Sequence, residues 1–249
     1  TASIRDQVSG AEWQTRVGLA ALYRLVAQRG WGDLLFTPLS ARVPGPGHHF
    51  LLNPFGMMFE EVTASSLVKV DLDGNKVMDG PHDINQAGFT IHSAVHAARE
   101  DALCVMHLHT DDGVAVSAQA HGLLPLTQHA MQLGEIAYHD YEGVALDLDE
   151  RERIVRDLGE RNCMILRNHG TLALGPDCAT AWLAMYYLER ACTMQIRALA
   201  GGADPNLPPQ GSAEKAADQS RVLFDGTAGP FVWPAMLRKL DRIDPGYRH

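Results

Sequence analysis

Two short apolar runs that end in histidine constrain this chain more than any other feature. Ala102-Leu-Cys-Val-Met-His-Leu-His109 and Met164-Ile-Leu-Arg-Asn-His-Gly170 both read as buried strands. Along a strand, side chains i and i+2 share a face, so His107 and His109 point at one spot. The second run brings His169 to its own end, inside an Asn-His-Gly turn. Three neutral imidazoles with one open position are the usual protein contribution to a catalytic metal site. The competing readings are ordinary ones: hydrogen-bonded core histidines on the first run, and at His169 a turn residue whose neighbour Gly170 permits positive φ.

Composition limits what such a site can belong to. At 249 residues and 46% hydrophobic content the chain has material for one α/β domain with a tail. A formal charge of −9, with only four lysines and no basic run, excludes a nucleic-acid or anionic-membrane surface. No stretch approaches the roughly 18 to 20 apolar residues of a membrane span, and Thr1–Gly10 carries no signal-peptide pattern. Cys104, Cys163, Cys178 and Cys192 are widely spaced without C-x-x-C pairs, the pattern of packing thiols in a reduced, cytoplasmic protein.

Periodicity divides the rest. Ala11–Arg29 is helical and stops at Gly30; Leu34–Pro38, Phe50–Asn53 and Ser66–Asp71 read as strands of a meander, with Asp73-Gly74 at a hairpin turn. Helices are expected over Asn85–Arg99, Asp111–Ala120 (capped by Thr110 or Asp111), Asp149–Glu160 and Cys178–Leu199, and strands over Ala102–His109, Gly143–Leu148 and Cys163–Arg167. Ala203–Ser220 has the composition of an exposed linker. After it, Trp233, Met236, Leu237 and Leu240 form an apolar stripe within Phe231–Asp241 that must be buried on this subunit or a neighbour. The expected division is a domain over residues 1–202 and a linker with a helical tail over 203–249.

Six more histidines need weighing. His92 and His96 lie four apart on one helical face, where they can bind metal or simply pack and hydrogen-bond; without a Glu after the first, they are not the H-E-x-x-H of a zinc protease. His48, His49 and His249 read as solvated. His129, in Thr127-Gln-His-Ala130, is considered below.

The segments Asn85-Gln-Ala-Gly-Phe-Thr-Ile-His92, Val105-Met-His-Leu-His-Thr110, Leu133-Gly-Glu-Ile-Ala-Tyr-His-Asp-Tyr141, Leu166-Arg-Asn-His-Gly170 and Ala198-Leu-Ala-Gly-Gly202 occur in an order that resembles the class II aldolase/adducin family, closest to its adducin-like branch. The resemblance spans roughly residues 12 to 202. It implies an α/β fold, an αβα layered domain around a mostly antiparallel sheet with a C-terminal tail, assembled as a homotetramer with active sites between subunits. It also implies that His107, His109 and His169 hold one divalent metal ion. Zinc is the default, although Mn2+, Co2+, Ni2+ and Fe2+ also accept imidazole. In the family's sugar-phosphate aldolases this metal stabilises the enediolate formed as a C–C bond breaks or forms.

The departures from the family pattern are equally informative. Those aldolases carry an acid/base Glu four residues before the helix His; here that position is Gly88. Their phosphate cradle, a Gly-Asn-x-Ser turn, a Thr-Gly pair and a Ser-Ser pair, becomes Thr37-Pro-Leu-Ser40, Phe55-Gly56 and Gln86-Ala87. A phosphate would lose several charge-assisted hydrogen bonds of roughly 1.5–3 kcal/mol apiece. Phe55, Gly56 and Gln86 are therefore expected to line a site for an unphosphorylated small molecule. The family's catalytic Tyr near the subunit boundary aligns with His129, which as imidazole can still donate a proton near neutral pH.

The resulting expectation is a metal-dependent carbon–carbon lyase, aldolase-like or decarboxylase-like, acting on a small carbonyl or hydroxy acid. His129 or a carboxylate among Asp111, Asp112, Glu135 and Asp140 would move the proton; decarboxylation would need no α-proton abstraction. The alternative is a non-catalytic, adducin-like binding scaffold. Animal adducins carry a long Lys-rich tail for the cytoskeleton, and this sequence ends at His249 without one, an expectation against actin or spectrin as partner.

Overall fold

The computed structural model describes residues 3–144, 148–202 and 204–249. After a single turn, α1 (Ile4–Gln7), the long helix α2 (Gly10–Gln28) leads into a meander of β1 (Leu39–Arg42), β2 (Phe50–Leu52) and β3 (Val68–Val70). Next come α3 (Gln86–Ala98), β4 (Cys104–Leu108), α4 (Asp111–Ser117), α5 (Gln128–Gln132) and β5 (Ala137–His139). The order then runs α6 (Glu150–Leu158), β6 (Cys163–Leu166), β7 (Gly170–Gly175), α7 (Cys178–Leu199), α8 (Ser212–Thr227) and α9 (Trp233–Ile243). Seven strands form one sheet in the order β3-β2-β1-β4-β7-β6-β5, antiparallel throughout except for the β5–β6 pair.

The pleat explains the layering. Cys104, Met106 and Leu108 of β4 join α2 and α7 residues in the main core, while Val105 packs in a second core with Ile91 and Val95 of α3 and Ile154 and Leu158 of α6. Alternate side chains thus feed opposite layers, and His107 follows Val105. The result is an αβα arrangement around a mostly antiparallel sheet. No described helix is long and apolar enough to cross a membrane.

Several elements differ from expectation. Leu34–Pro38 is a loop rather than a strand, because Leu34 and Thr37 take φ of 52° and 60°, and extended backbone begins only at Leu39. β5 and β7 are strands that periodicity does not mark. Of the strand expected over Gly143–Leu148, residues 145–147 lie outside the described residues, as does Ala203 at the start of the expected linker. That linker is shorter than its composition suggests, since α8 starts at Ser212. The apolar stripe of α9 lies on this chain's own core: Trp233, Met236 and Leu237 pack against it and Leu240 is buried. Asp244 accepts from Arg24 of α2 at 2.7 Å.

His92 and His96 serve packing, through a relay. His96 Nδ1–H donates to the Ala102 carbonyl at 3.0 Å, leaving Nε2 to accept from the Ser40 hydroxyl at 2.7 Å. Ser40 Oγ in turn accepts from His92 Nδ1–H at 2.6 Å. Burial pushes both imidazoles down to about 3. Their folded pKa values lie below the unfolded value near 6.5, so this contribution to stability is complete above pH 6.5 and declines as the pH falls toward 3. At pH 5 the loss is about 2 kcal/mol per ring. Urea unfolding should therefore give a free energy lower by about 4 kcal/mol at pH 5 than at pH 8 from this pair; equal stability at both would mean that the rings are not held neutral.

Candidate metal centre

The turn between β6 and β7 sets the centre. Asn168 takes φ of 56°, and its N–H donates to the Ser117 carbonyl at 3.1 Å, while the His169 N–H donates to Ser117 Oγ at 3.1 Å. The C-terminal end of α4 thereby holds the turn and brings His169 alongside the end of β4. Positive φ falls on Asn168, so Gly170 is needed for a different reason. A Cβ at residue 170 would stand 2.3 Å from the Leu108 carbonyl oxygen and 3.1 Å from the His109 ring. Only a residue without a side chain lets β7 lie this close to β4.

That approach gathers the three imidazoles. Ring centroids of His107, His109 and His169 are 4.7 to 4.8 Å apart, and one nitrogen from each lies within 4.8 Å of the other two. His107 Nδ1–H donates to the Thr171 carbonyl at 2.9 Å and His109 Nδ1–H to the Asp33 carboxylate at 3.0 Å. Both rings then turn Nε2 inward, and the two Nε2 atoms stand 3.0 Å apart. Two inward imidazole nitrogens at that distance share either a proton or a cation. Nitrogens each about 2.1 Å from a tetrahedral ion are about 3.4 Å apart, so the donor set fits a divalent metal.

Electrostatics favours the same state. His107 is buried, which pushes its pKa well below the ordinary value, and His169 and His109 add to the effect. His169 falls to about 4, chiefly through burial and then through His109. His107 and His169 are thus biased toward the neutral form, the form a metal requires.

Beneath the trio lies a buried carboxylate that sequence reasoning missed. Glu189 of α7 is 1% exposed and accepts from the Thr110 and Thr171 hydroxyls, and burial raises its pKa. Thr110 follows His109, and Thr171 supplies the carbonyl that orients His107. One carboxylate therefore braces both strand ends, the outer-shell support typical of metal-ligating histidines. A charge among Met185, Leu188 and Cys192 on the buried stripe of α7 was its only signal. Asp33 had none, standing 76 residues from His109.

The remaining expected positions lie on other elements of the fold. Phe55 is 44% exposed, with its N–H donating to the Asp83 carbonyl at 2.8 Å, so this backbone donor is already used. Gly56 has φ of 103°, and Gln86 is the exposed first residue of α3. A Cβ at Gly88 would lie 2.2 Å from Pro38 Cγ, so Pro38 fills the place of the family's Glu. His129 stands on α5 with its ring 4.7 Å from that of Tyr187; burial and the Arg190 charge lower its pKa. Asp112 accepts from Thr193, Glu135 pairs with Arg161 and Asp140 with Arg167. Tyr141, given no role by the sequence reading, sets its ring 6.2 Å from that of His169. A groove of about 1320 Å3 between α5 and α8, lined by Gln132, Arg161 and Phe224, lies apart from the trio.

A family model described as Class II Aldolase and Adducin N-terminal domain matches residues 17–196. A protein of Caulobacter vibrioides named "Putative aldolase class 2 protein" is 60% identical over 248 residues, 99% of this chain and 96% of that one. Alpha-adducin of Rattus norvegicus is 42% identical over 247 residues, 94% of this chain but 33% of the adducin. The crystal structure of an aldolase II superfamily protein from Pseudomonas syringae superposes with a TM-score of 0.96 at 50% identity, covering 100% of both chains. L-fuculose 1-phosphate aldolase from Glaciozyma antarctica PI12 gives a TM-score of 0.81 at 25% identity, covering 100% of this chain and 96% of that one.

Replacing Gly170 by Ala is expected to cost about 2–3 kcal/mol, because the methyl group meets backbone rather than a side chain that can swing away. Urea unfolding of the variant measures the loss, and an unchanged midpoint would mean that β7 has room to retreat from β4.

Proposed function

The chain belongs to the class II aldolase and adducin family, and from that premise we propose that it is a divalent-metal-dependent carbon–carbon lyase acting on an unphosphorylated small carbonyl or hydroxy acid. His107, His109 and His169 are its metal ligands in this reading, and zinc is the ion. One observation supports it: the Nε2 atoms of His107 and His109 face each other at 3.0 Å with a nitrogen of His169 within 4.8 Å of both, and His107 and His169 are biased against protonation. When bound, the ion supplies fixed positive charge that stabilises an oxyanion as it develops on the ligand.

The chain's own residues divide the other tasks. Asp33 and the Thr171 carbonyl hold two ring tautomers, and Glu189 fixes the strand ends from below. No carboxylate acts from residue 88, where Pro38 closes the space. His129 is the proton carrier we assign, reaching a neighbouring subunit's site in a homotetramer; its lowered pKa keeps it neutral, able to accept and donate, near pH 7. Phe55, Gly56 and Gln86 border the substrate, and with Pro38 and Phe55 in the former cradle a phosphate finds few donors. Four free cysteines agree with a reducing compartment, the cytoplasm in this proposal.

A second reading, a non-catalytic scaffold, draws support from the identity with alpha-adducin over 94% of this chain. Metal content separates the two. Protein purified without a metal-affinity step should carry about one divalent ion per chain by elemental analysis, and His107→Ala or His169→Ala should carry close to none. Wild-type protein that stays empty after soaking with zinc would favour the scaffold. Changing His129 to Ala should lower turnover of a cleaved hydroxy-keto acid by at least about 100-fold while the metal stays bound; loss of the ion in that variant would mean the role assigned to it is wrong.

A further inference from the structure

We infer that the open face of this centre takes an aromatic oxygen chelator, an aryl hydroxy or keto acid, in preference to an aliphatic sugar. The inference rests on the metal-centre reading above and adds the class of substrate. Among the described residues only four Phe, Tyr or Trp rings are strongly exposed: Phe36 at 43%, Phe55 at 44%, Tyr141 at 53% and Phe231 at 68%. Three of the four connect to the imidazole trio, Tyr141 directly, Phe36 through Asp33 and Phe55 through Phe36.

Tyr141 lies on the His169 side, its ring 6.2 Å from that imidazole at an interplanar angle of 77°. Phe36 and Phe55 form a second aromatic group, with centroids 6.5 Å apart. Asp33 ties this pair to the centre, since its carboxylate accepts from His109 and its carbonyl accepts from the Phe36 N–H at 3.0 Å. The buried Tyr23 hydroxyl anchors both aromatic-bearing loops from behind: it accepts from the N–H groups of Leu39 at 2.7 Å and Asn53 at 3.1 Å. The rings are therefore carried on braced loops, and exposed apolar surface beside a polar centre is how a chain prepares a place for an apolar ligand. Aromatic rings recognise another ring through offset or edge contacts at 4.5–7 Å, a geometry an open-chain polyol does not offer.

The chelating head and the ring can be tested separately. Benzohydroxamate and acetohydroxamate share one metal-chelating group and differ in the phenyl ring, so calorimetric titration of both into the zinc-loaded protein isolates what the ring contributes. Benzohydroxamate should bind at least tenfold more tightly. In Phe55→Ala and in Tyr141→Ala that preference should shrink to threefold or less, with bound zinc unchanged. Equal affinities in the wild type, or a preference that survives both substitutions, would overturn the inference and leave the metal centre standing. If neither compound binds a fully zinc-loaded protein, the centre itself has been misread, and the substrate class falls with it.

Discussion

The contact on which the centre depends is backbone against backbone. Gly170 sits where the Leu108 carbonyl oxygen occupies the space of a missing Cβ, and β7 pairs with β4 over five residues to reach that point. Two histidines belong to one strand and its end, the third to the turn entering the other, so the separation of the strands sets the separation of the rings. Sheet spacing is among the least adjustable dimensions in a protein. The trio therefore inherits the rigidity of the sheet rather than that of a loop, the condition under which a small ligand set keeps its geometry.

A rigid cluster of imidazoles carries an electrostatic cost that the fold directs. His107 and His169 are biased against protonation, because a proton on either would meet low dielectric and neighbouring rings at once. Carboxylates sit outside this cluster. Asp33 touches only the outer nitrogen of His109, and Glu189 acts through two threonine hydroxyls rather than on any imidazole. Negative charge is thus close enough to favour a cation and too far to become a ligand itself, an arrangement that leaves a coordination face open.

Much of this architecture could be read in the residues before any coordinates. The helical periods of α2, α3 and α7 and the paired His107 and His109 follow from patterns of 3.6 and 2, and the ordered motifs led to the layered fold. What escaped had physical reasons. The run Leu34–Pro38 is apolar enough for a strand, yet two residues of left-handed φ turn it into the loop that carries Asp33 and Phe36. β5 spans only three residues, too few for alternation to show. Gly170 resembled a turn residue, because a glycine required by close approach and one required by positive φ look alike in a sequence. Asp33 and Glu189 act across 76 and 79 residues, through contacts that only the folded sheet creates.

The occupied space beside Gly88 bears on the chemistry more than the missing carboxylate does. A lost Glu with an empty pocket behind it would leave room for water to act as base; here Pro38 fills that pocket at distances that exclude any side chain. Pro38 also lies in the Thr37-Pro-Leu-Ser40 segment that stands in place of the family's cradle turn, so one residue bears on both the base position and the cradle. The ligand rings keep outer partners, His107 on the Thr171 carbonyl and His109 on the Asp33 carboxylate, with His169 alongside them. In the lyase reading proposed above, the closed place at residue 88 leaves proton transfer to another group such as His129, or the reaction to one in which a bond other than C–H supplies the electrons. Departure of CO2 from a keto or hydroxy acid is such a reaction, because the carboxylate leaves without a proton having to be removed first.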